Sequence, residues 1–374
     1  MRKVVKKVVD RLRRRSVQCR VFLDQPSEAL FAQNALVLGW YAGADEIETI
    51  RLNGVTVIEY ELVDRPDVER ECPTHVVVTG FRFNFDTSGM PGCEALSIEI
   101  VDIKGRSVRG EFPLGKNPSW ELKQSKLLKL GEILLMDMPH KRTLTGYDFL
   151  GDDLVKMAGL VSSVAVSSHN YSDEMVAEIR RVPKDGWVLD CGAGYRKTEY
   201  SNVVLFEVEP YVSTDVRGIC EALPFKDDSF DLILSIVVLE HVKDPFLAAK
   251  EMRRVLKPGG RIWIDVAFMQ PYHGYPNHYY NMTKDGLRNL FFEGFAVVRE
   301  FVPNYGEPFW SLSWILQVYF SGIDDESKQQ FRDLTLGEIM DSSKQLGEEA
   351  WLRNLPEGIK SSIAATHSLL VEKR

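Results

Sequence analysis

The sequence of 374 residues has few cysteines, no long apolar run and no excess of basic residues. Its five cysteines are scattered without a CxxC pair, so neither a zinc module nor a disulfide framework is indicated. A cytoplasmic location is the simplest one that agrees with this cysteine usage. No apolar run reaches the roughly 20 residues that a membrane-spanning helix needs, and the basic start lacks the apolar core of a signal peptide.

The charge balance argues against a general nucleic-acid binder, because 46 basic residues stand against 54 acidic ones. The first fifteen residues are the exception, because eight are Lys or Arg and one is Asp, a net charge of +7. The whole chain has a net charge of −8, so the rest of it carries a net charge of −15. Their valines and Leu12 recur at helical spacing, so residues 1–16 are predicted to form a basic amphipathic helix. Such a helix can lie on an anionic membrane, here the inner face, or dock on a partner, and a solvated terminal helix is the alternative.

Residues 17–113 consist of short β-rich segments separated by turns such as Asn53-Gly54 and Lys104-Gly105. Their alternating apolar and polar residues predict an all-β sandwich domain. The segments LGW and IETIRLNG resemble parts of the small β-sandwich modules attached to bacterial glycan-building enzymes. Trp40 and Tyr41 are interpreted as core residues, with a sugar-stacking face as the alternative.

Residues 114–168 have helical periodicity and are predicted to be a helical connector, after which residues 169–374 form an α/β domain. In this domain VLDCGAG, residues 188–194, predicts a buried strand followed by a glycine-rich turn, where a ligand can approach the backbone closely. A second apolar strand runs into Glu207, with Glu209 two residues further on. An acidic residue at that place accepts hydrogen bonds from two ribose hydroxyls in nucleotide-binding sheets.

Further motifs follow in a fixed order. EALPF begins at Glu221, DDSFDLIL at Asp227 and LEHV at Leu239, and Asp244 is predicted to cap a helix that ends at LKPGG. Together with LDCGAG, this series resembles the class I S-adenosylmethionine-dependent methyltransferases. The resemblance covers roughly residues 187–303 and implies a Rossmann-like, seven-stranded sheet.

The same resemblance completes the expected domain. Residues 295–302 are expected to form a sixth strand and residues 366–374 a seventh. Residues 304–361 are then a helical insertion that roofs the acceptor pocket or makes a homodimer contact. The aromatic run at residues 309–314, which begins with Phe309 and Trp310, is expected to be buried packing, with a substrate platform as the alternative.

The resemblance also implies S-adenosylmethionine as the cofactor and assigns residues to it. Asp190 and the turn Gly192, Ala193 and Gly194 would hold its amino-acid end. Glu207 would accept hydrogen bonds from the ribose hydroxyls, with Glu209 as the rival. Cys220, Glu221 and Ala222 would lie along the adenine, and Ile236 would close the pocket. Two departures concern Tyr195-Arg196, where a third glycine is common, and Ile219, where an aspartate is common.

Methyl transfer is a direct displacement, and a hydroxyl acceptor benefits from a base that takes its proton. Imidazole suits that task near neutral pH. Three histidines fall in loops after strand ends, and we rank His273 first as the base, then His241, then His278. For each of them a purely structural role is the alternative. The spacing of the carboxylates demands no divalent ion, so no metal site is predicted.

These observations predict an O-methyltransferase that acts on a sugar hydroxyl during bacterial cell-surface polysaccharide or glycolipid synthesis. The sugar assignment depends on the β-sandwich resemblance, the aromatic and polar loop 269–281 and the basic helix. Alternatives are a lipid, quinone or natural-product methyltransferase, and a non-catalytic glycan-binding scaffold. A nucleic-acid acceptor is disfavoured by the acidic balance and by LEHV, which stands where such enzymes carry an Asn/Asp-Pro-Pro-Tyr signature.

Overall fold

The computed structural model describes residues 20–363 apart from 29–33, 70–75, 88, 161–167, 169, 199, 275–276, 292–293, 342–345 and 347–348. The predicted basic helix and the predicted seventh strand lie outside these residues. The chain divides into two compact units. Unit 1 comprises residues 1–150, 166–218 and 224–229, and unit 2 comprises residues 151–165, 219–223 and 230–374.

Two antiparallel four-stranded sheets form the first part of unit 1. They contain β1 (Arg20–Gln25), β2 (Asn34–Gly43), β3 (Ile47–Leu52), β4 (Val55–Thr56), β5 (Glu61–Val63), β6 (Val77–Asp86), β7 (Ala95–Asp102) and β8 (Ser107–Pro113), with the short helix α1 (Pro66–Glu69) after β5. The strand orders are β1-β2-β6-β5 and β4-β3-β7-β8. The predicted turns at Asn53-Gly54 and Lys104-Gly105 are confirmed, because Asn53, Gly54 and Gly105 have the positive φ typical of tight hairpins.

Both sheets contribute to one buried apolar cluster, which includes Tyr41 and Phe81 from the first sheet and Ile50 and Ile98 from the second. This arrangement is compatible with the predicted all-β module. Trp40 is also buried and stacks on Phe22 with ring centroids 3.9 Å apart. The core interpretation of Trp40 and Tyr41 is therefore confirmed, and neither ring offers a sugar-stacking face.

The segment predicted as a helical connector contains strands as well as helices. Helix α2 (Pro118–Leu130) begins where the Asn117 side chain accepts hydrogen bonds from the backbone N–H groups of Ser119 and Trp120. Two short strands follow, β9 (Lys141–Arg142) and β10 (Tyr147–Asp148), and then helix α3 (Asp152–Ala158), which belongs to unit 2.

The remainder of unit 1 is the parallel part of a nucleotide-binding type of sheet. After helix α4 (Asp173–Arg181) come β11 (Val188–Cys191), β12 (Val203–Glu207) and β13 (Val216–Arg217). These three strands pair in parallel, β10 adds to β13 in parallel and β9 closes the edge antiparallel to β10. Every residue of β11 and β12 is buried, as expected for strands covered on both faces.

Helix α2 is anchored to this sheet by a buried ionic cluster. The ammonium groups of Lys123 and Lys126 lie 2.7 Å and 2.5 Å from the two carboxylate oxygens of Asp215, and all three side chains are fully buried. Asp215 also accepts a hydrogen bond from the backbone N–H of Leu205, in β12. Residues 114–150 of the supposed connector are thus an integral part of unit 1.

Unit 2 contains a parallel βαβ element. Strand β14 (Phe230–Ile236) pairs in parallel with β15 (Leu256–Asp265), and helix α5 (Pro245–Val255) lies between them in sequence. Asp244 caps α5 as predicted, since its carboxylate accepts a hydrogen bond from the Leu247 N–H at 3.0 Å. Helix α5 ends at Val255, directly before LKPGG as predicted, and LKPGG itself forms the start of β15.

The rest of unit 2 differs in part from expectation. Residues 295–302 form no strand, and the side chains of Val297 and Val298 are exposed. The helices described beyond β15 are α6 (Lys284–Leu290), α7 (Pro308–Gly322), α8 (Asp325–Asp333), α9 (Leu336–Asp341), α10 (Ala350–Arg353) and α11 (Glu357–Ile363). Phe309 and Trp310 are exposed on α7, so the prediction that they are buried is wrong. Among the described residues, no helix has the length and apolar character needed to cross a bilayer.

Candidate active site

The glycine-rich turn after β11 has the conformation that the sequence predicted. Gly192 and Gly194 have φ values of 78° and 62°, in the left-handed region that favours glycine. The N–H groups of Gly192 and Ala193 donate to the Phe206 carbonyl at 2.9 and 3.0 Å, which fixes the turn against β12. The turn therefore lies beside the end of β12, where Glu207 stands.

Glu207 is surrounded by backbone donors. Its carboxylate accepts hydrogen bonds from the N–H groups of Gly194 and Val208 at 2.7 Å and of Glu209 at 3.2 Å. Burial nevertheless outweighs these bonds and raises the pKa of Glu207. Because Glu207 rather than Glu209 receives the N–H of the glycine turn, it is the better placed of the two to serve a ligand there.

Asp190 lies at the end of β11 in a buried cluster that the sequence did not reveal. One carboxylate oxygen, Oδ2, accepts hydrogen bonds from the Tyr171 hydroxyl at 2.5 Å and from Nε of Arg196 at 2.8 Å. The Arg196 guanidinium also lies 4.4 Å from the centroid of the Tyr171 ring. The other oxygen, Oδ1, is buried and has no hydrogen-bond partner among the described residues.

The residues expected along the adenine belong to unit 2. Ile219 and Ala222 form a bridge that closes a tight turn, and Cys220 and Glu221 between them are buried. Glu221 accepts a weak hydrogen bond from the Asp244 N–H at 3.4 Å, and burial raises its pKa. Ile236 is buried at the end of β14.

The backbone is strained where β14 ends. Val237 has a φ of 55°, a conformation that is rare for a β-branched residue and is found chiefly where function requires it. A short 3₁₀ turn, Leu239–His241, follows directly. The strained residue therefore places Glu240 and His241 at the carboxyl end of β14, the edge at which open α/β sheets bind ligands.

The structure brings the three predicted histidines together in unit 2. The ring centroids of His273 and His278 are 4.4 Å apart, and that of His241 lies 5.2 Å from His273 and 5.8 Å from His278. Trp314 of α7 lies 5.1 Å from the His273 ring, so the helical insertion does reach this cluster.

Hydrogen bonds distinguish the three rings. Nδ1 of His241 bonds to the Asn277 carbonyl at 2.6 Å and Nδ1 of His273 to the Pro271 carbonyl at 2.8 Å, so in both rings Nδ1 carries the proton. His278 instead accepts the His273 N–H on Nδ1 and contacts Tyr280 and Asn281 through Nε2. The lone pairs left for chemistry are therefore those on Nε2 of His241 and His273.

Glu240 is a site residue that the sequence analysis passed over. It is fully buried, and neither carboxylate oxygen has a hydrogen-bond partner among the described residues. Burial, reinforced by the charge of Asp265, raises the pKa of Glu240 to about 7. Burial also lowers the pKa of His241 to about 4, so this imidazole is neutral at physiological pH.

Comparisons with known proteins find a methyltransferase domain in this part of the chain. Residues 195–264 match the family model described as a methyltransferase domain. A ubiquinone/menaquinone biosynthesis C-methyltransferase of Geotalea daltonii is 32% identical over 148 residues, which is 37% of this chain and 53% of that protein. An uncharacterized protein of Methanocaldococcus jannaschii is 36% identical over 115 residues, 26% of this chain and 51% of its own length.

The chain carries a class I S-adenosylmethionine-dependent methyltransferase domain. It spans about half the length of these two curated relatives. Among solved structures, the YcgJ protein of Bacillus subtilis aligns with 42% of this chain and 86% of its own, at 17% identity and a TM-score of 0.29.

The residues of unit 1 fit the cofactor of this methyltransferase domain. The Oδ1 atom of Asp190, without a hydrogen-bond partner among the described residues, would accept from the ammonium of the amino-acid end, and Arg196 would be the cation beside its carboxylate. Glu207 would accept hydrogen bonds from the ribose hydroxyls beside the glycine turn. At one of the two sequence departures the chain thus carries a cation, Arg196, that pairs with Asp190.

Proposed function

We propose that this protein is an O-methyltransferase that methylates a sugar hydroxyl in bacterial cell-surface polysaccharide or glycolipid synthesis. The observation that carries the proposal is the pair of imidazoles of His241 and His273, each of which keeps Nε2 available because Nδ1 bonds to a backbone carbonyl. A hydroxyl needs such a proton acceptor as it becomes a nucleophile.

The bound cofactor supplies an electrophilic methyl group on its sulfonium. The task of this chain's residues is to take the acceptor's proton on Nε2 of His273, with His241 as the alternative base. A well-placed base of this kind contributes roughly 10²–10⁴-fold to the rate. His278 serves the loop, since its Nδ1 accepts the backbone N–H of His273.

The surroundings of the histidines support a sugar. Tyr272, Tyr279 and Tyr280 are all substantially exposed in the same loop, and aromatic faces with hydrogen-bonding groups beside them suit carbohydrate rings. The resemblance of residues 17–113 to modules of glycan-building enzymes adds to this support. We further propose that the reaction takes place in the cytoplasm, with residues 1–15 attaching the protein to the inner face of the membrane or to a partner.

A lipid or quinone acceptor is the second candidate. The printed name of the Geotalea relative is that of a quinone-pathway C-methyltransferase, and exposed Phe309 and Trp310 on α7 would suit an apolar acceptor. Methylation at a ring carbon also releases a proton, from the ring position that gains the methyl group. The identity of the labelled product, and not dependence on His273, therefore distinguishes the two candidates.

The test is a methyl-transfer assay with the full chain, S-adenosylmethionine labelled on the methyl group, and two acceptor panels, nucleotide sugars with glycolipids and prenylated quinols. We expect label in a sugar product and loss of at least about a hundredfold in rate for His273→Ala. His140→Ala is the matched control, because His140 also bonds a backbone carbonyl through Nδ1 but lies in unit 1. Label only in quinol products would overturn the sugar assignment.

A further inference from the structure

Glu240 presents an unusual electrostatic problem. Its side chain is fully buried, yet both carboxylate oxygens lack a hydrogen-bond partner among the described residues. A buried carboxylate is retained at high cost unless a cation or a hydrogen-bond donor compensates it. A cation bound beside the two oxygens of Glu240 would supply that compensation.

Two imidazole nitrogens face the same space. Single ligand atoms of Glu240, His241 and His273 all lie within 4.8 Å of one another. Donors bound to one zinc-sized ion at about 2.1 Å stand roughly 3–4 Å apart, so an inward movement of each donor atom by less than about 1 Å would complete the site. The three ligands come from the turn after β14 and from the loop after β15.

The hydrogen bonds made by the far side of each ring are those of metal-ligating histidines. In both His241 and His273 the Nδ1–H group donates to a backbone carbonyl, at 2.6 and 2.8 Å. Such a bond fixes the tautomer and directs the Nε2 lone pair toward the metal, and it is the common outer-shell arrangement around ligating histidines.

We propose that Glu240, His241 and His273 bind a divalent first-row transition-metal ion. Two imidazoles with one carboxylate suit Zn²⁺, Mn²⁺, Fe²⁺ or Co²⁺, whereas Mg²⁺ and Ca²⁺ prefer a set of oxygens. Three protein ligands leave coordination positions open, as in catalytic rather than structural sites. An acceptor oxygen is a suitable ligand for such a position.

This inference does not depend on the proposed sugar acceptor. A lone pair that holds an ion cannot at the same moment accept a proton, so the ion and the imidazole base are alternative ways to activate the acceptor at one site. Ion binding is therefore measured directly, apart from methyl transfer.

The experiment uses the full chain with any polyhistidine tag removed, stripped with EDTA and dialysed against Zn²⁺, Mn²⁺ or Co²⁺. Bound metal is determined by plasma mass spectrometry, and Co²⁺ additionally by its visible d–d absorption. We expect one ion per chain, and binding weakened by at least about tenfold in both Glu240→Gln and His273→Ala, since even outer-shell partners are worth that much. His140→Ala should bind like the wild type.

Glu240→Gln keeps the shape of the side chain, and His273 is only half-buried in a loop, so the two variants test the site with different risks to folding. Circular dichroism on each variant separates lost binding from lost structure. Failure of the wild type to retain any of the three ions would overturn the proposal. So would equal affinity in the wild type and both folded variants, which would place the ion elsewhere. Neither outcome touches the proposed methyl transfer, which the acceptor assay tests on its own.

Discussion

The substitution Asp215→Asn tests whether the supposed connector is held to the sheet by charge. In the wild type, one buried carboxylate neutralises part of the charge of Lys123 and Lys126 and also accepts the Leu205 N–H. The variant keeps the shape but removes the negative charge beside two buried ammonium groups. The backbone carbonyls of Ser213 and Thr214 still accept from Lys123, and that of Val203 still accepts from Lys126.

Removing one partner from a buried ionic cluster costs about 3–5 kcal/mol. The remaining carbonyl contacts favour the lower end, about 3 kcal/mol, which is more than a hundredfold in the unfolding equilibrium. The difference in the free energy of unfolding between the wild type and Asp215→Asn should become smaller in acid. Burial opposes ionisation of Asp215, but Lys123 and Lys126 prevail and lower its pKa below 3.8, so the wild type loses this stabilisation as the pH falls below that value.

The assay is urea unfolding followed by both circular dichroism and tryptophan fluorescence, because coincident transitions are needed before a free energy is extracted from a chain with two units. Glu121→Gln on the same helix is the control. It breaks the exposed pair between Lys116 and Glu121 and should change the free energy of unfolding by less than about 0.5 kcal/mol. A loss below about 1 kcal/mol for Asp215→Asn, at neutral pH, would refute the reasoning.

Three further predictions follow from single contacts. Burial raises the pKa of Glu207, so the affinity for S-adenosylhomocysteine should fall as the pH drops toward 4.5, the ordinary pKa of a glutamate. A calorimetric series from about pH 8 to 5 measures this, and an affinity that stays constant would count against a carboxylate-dependent site. Trp40→Ala should destabilise the chain by about 3–5 kcal/mol, measured by urea unfolding, because the ring is buried against Phe22; a loss under about 1 kcal/mol would mean that Trp40 is not core. Asp244→Ala should cost about 0.5–2 kcal/mol in the same assay through loss of the cap of α5, while an unchanged stability would show that the cap is redundant.

Local patterns predicted the parts of the fold that local physics determines. The runs before Cys191 and Glu207 are apolar and short, Gly192 and Gly194 permit the left-handed turn, and Asp244 precedes Pro245 at a helix start. Each of these features is decided within a few residues of the chain. They were sufficient to position the glycine turn and the strand ends at which Asp190 and Glu207 lie.

Contacts between distant segments were beyond such reasoning. The sequence around Lys123 does not indicate that its side chain pairs with an aspartate 92 residues away. Tyr195-Arg196 was interpreted only as a lost glycine, although Arg196 pairs with Asp190. Glu240 was hidden for a related reason, since a glutamate in LEHV does not tell whether its side chain is exposed. A single signal was available in the sequence: the carboxylate of Glu240 directly precedes His241, a candidate base.

Patterning also misled in two places. Residues 295–302 alternate like a strand, yet no neighbouring strand pairs with them in the described part of the chain, and Val298 is 75% exposed. Phe309 and Trp310 have the composition of a core but lie on the outer surface of α7. Hydrophobicity alone does not say which neighbour will cover a side chain.

The central claim is that the glycine turn and Glu207 bind S-adenosylmethionine, and calorimetric titration of S-adenosylhomocysteine into the full chain tests it most directly. We expect the wild type to bind, Glu207→Ala to lose at least about tenfold in affinity through the missing charged hydrogen bonds, and Glu209→Ala to bind normally. A wild type that does not bind, although folded, would contradict the account. The chain would then become a candidate glycan-binding scaffold on a methyltransferase fold.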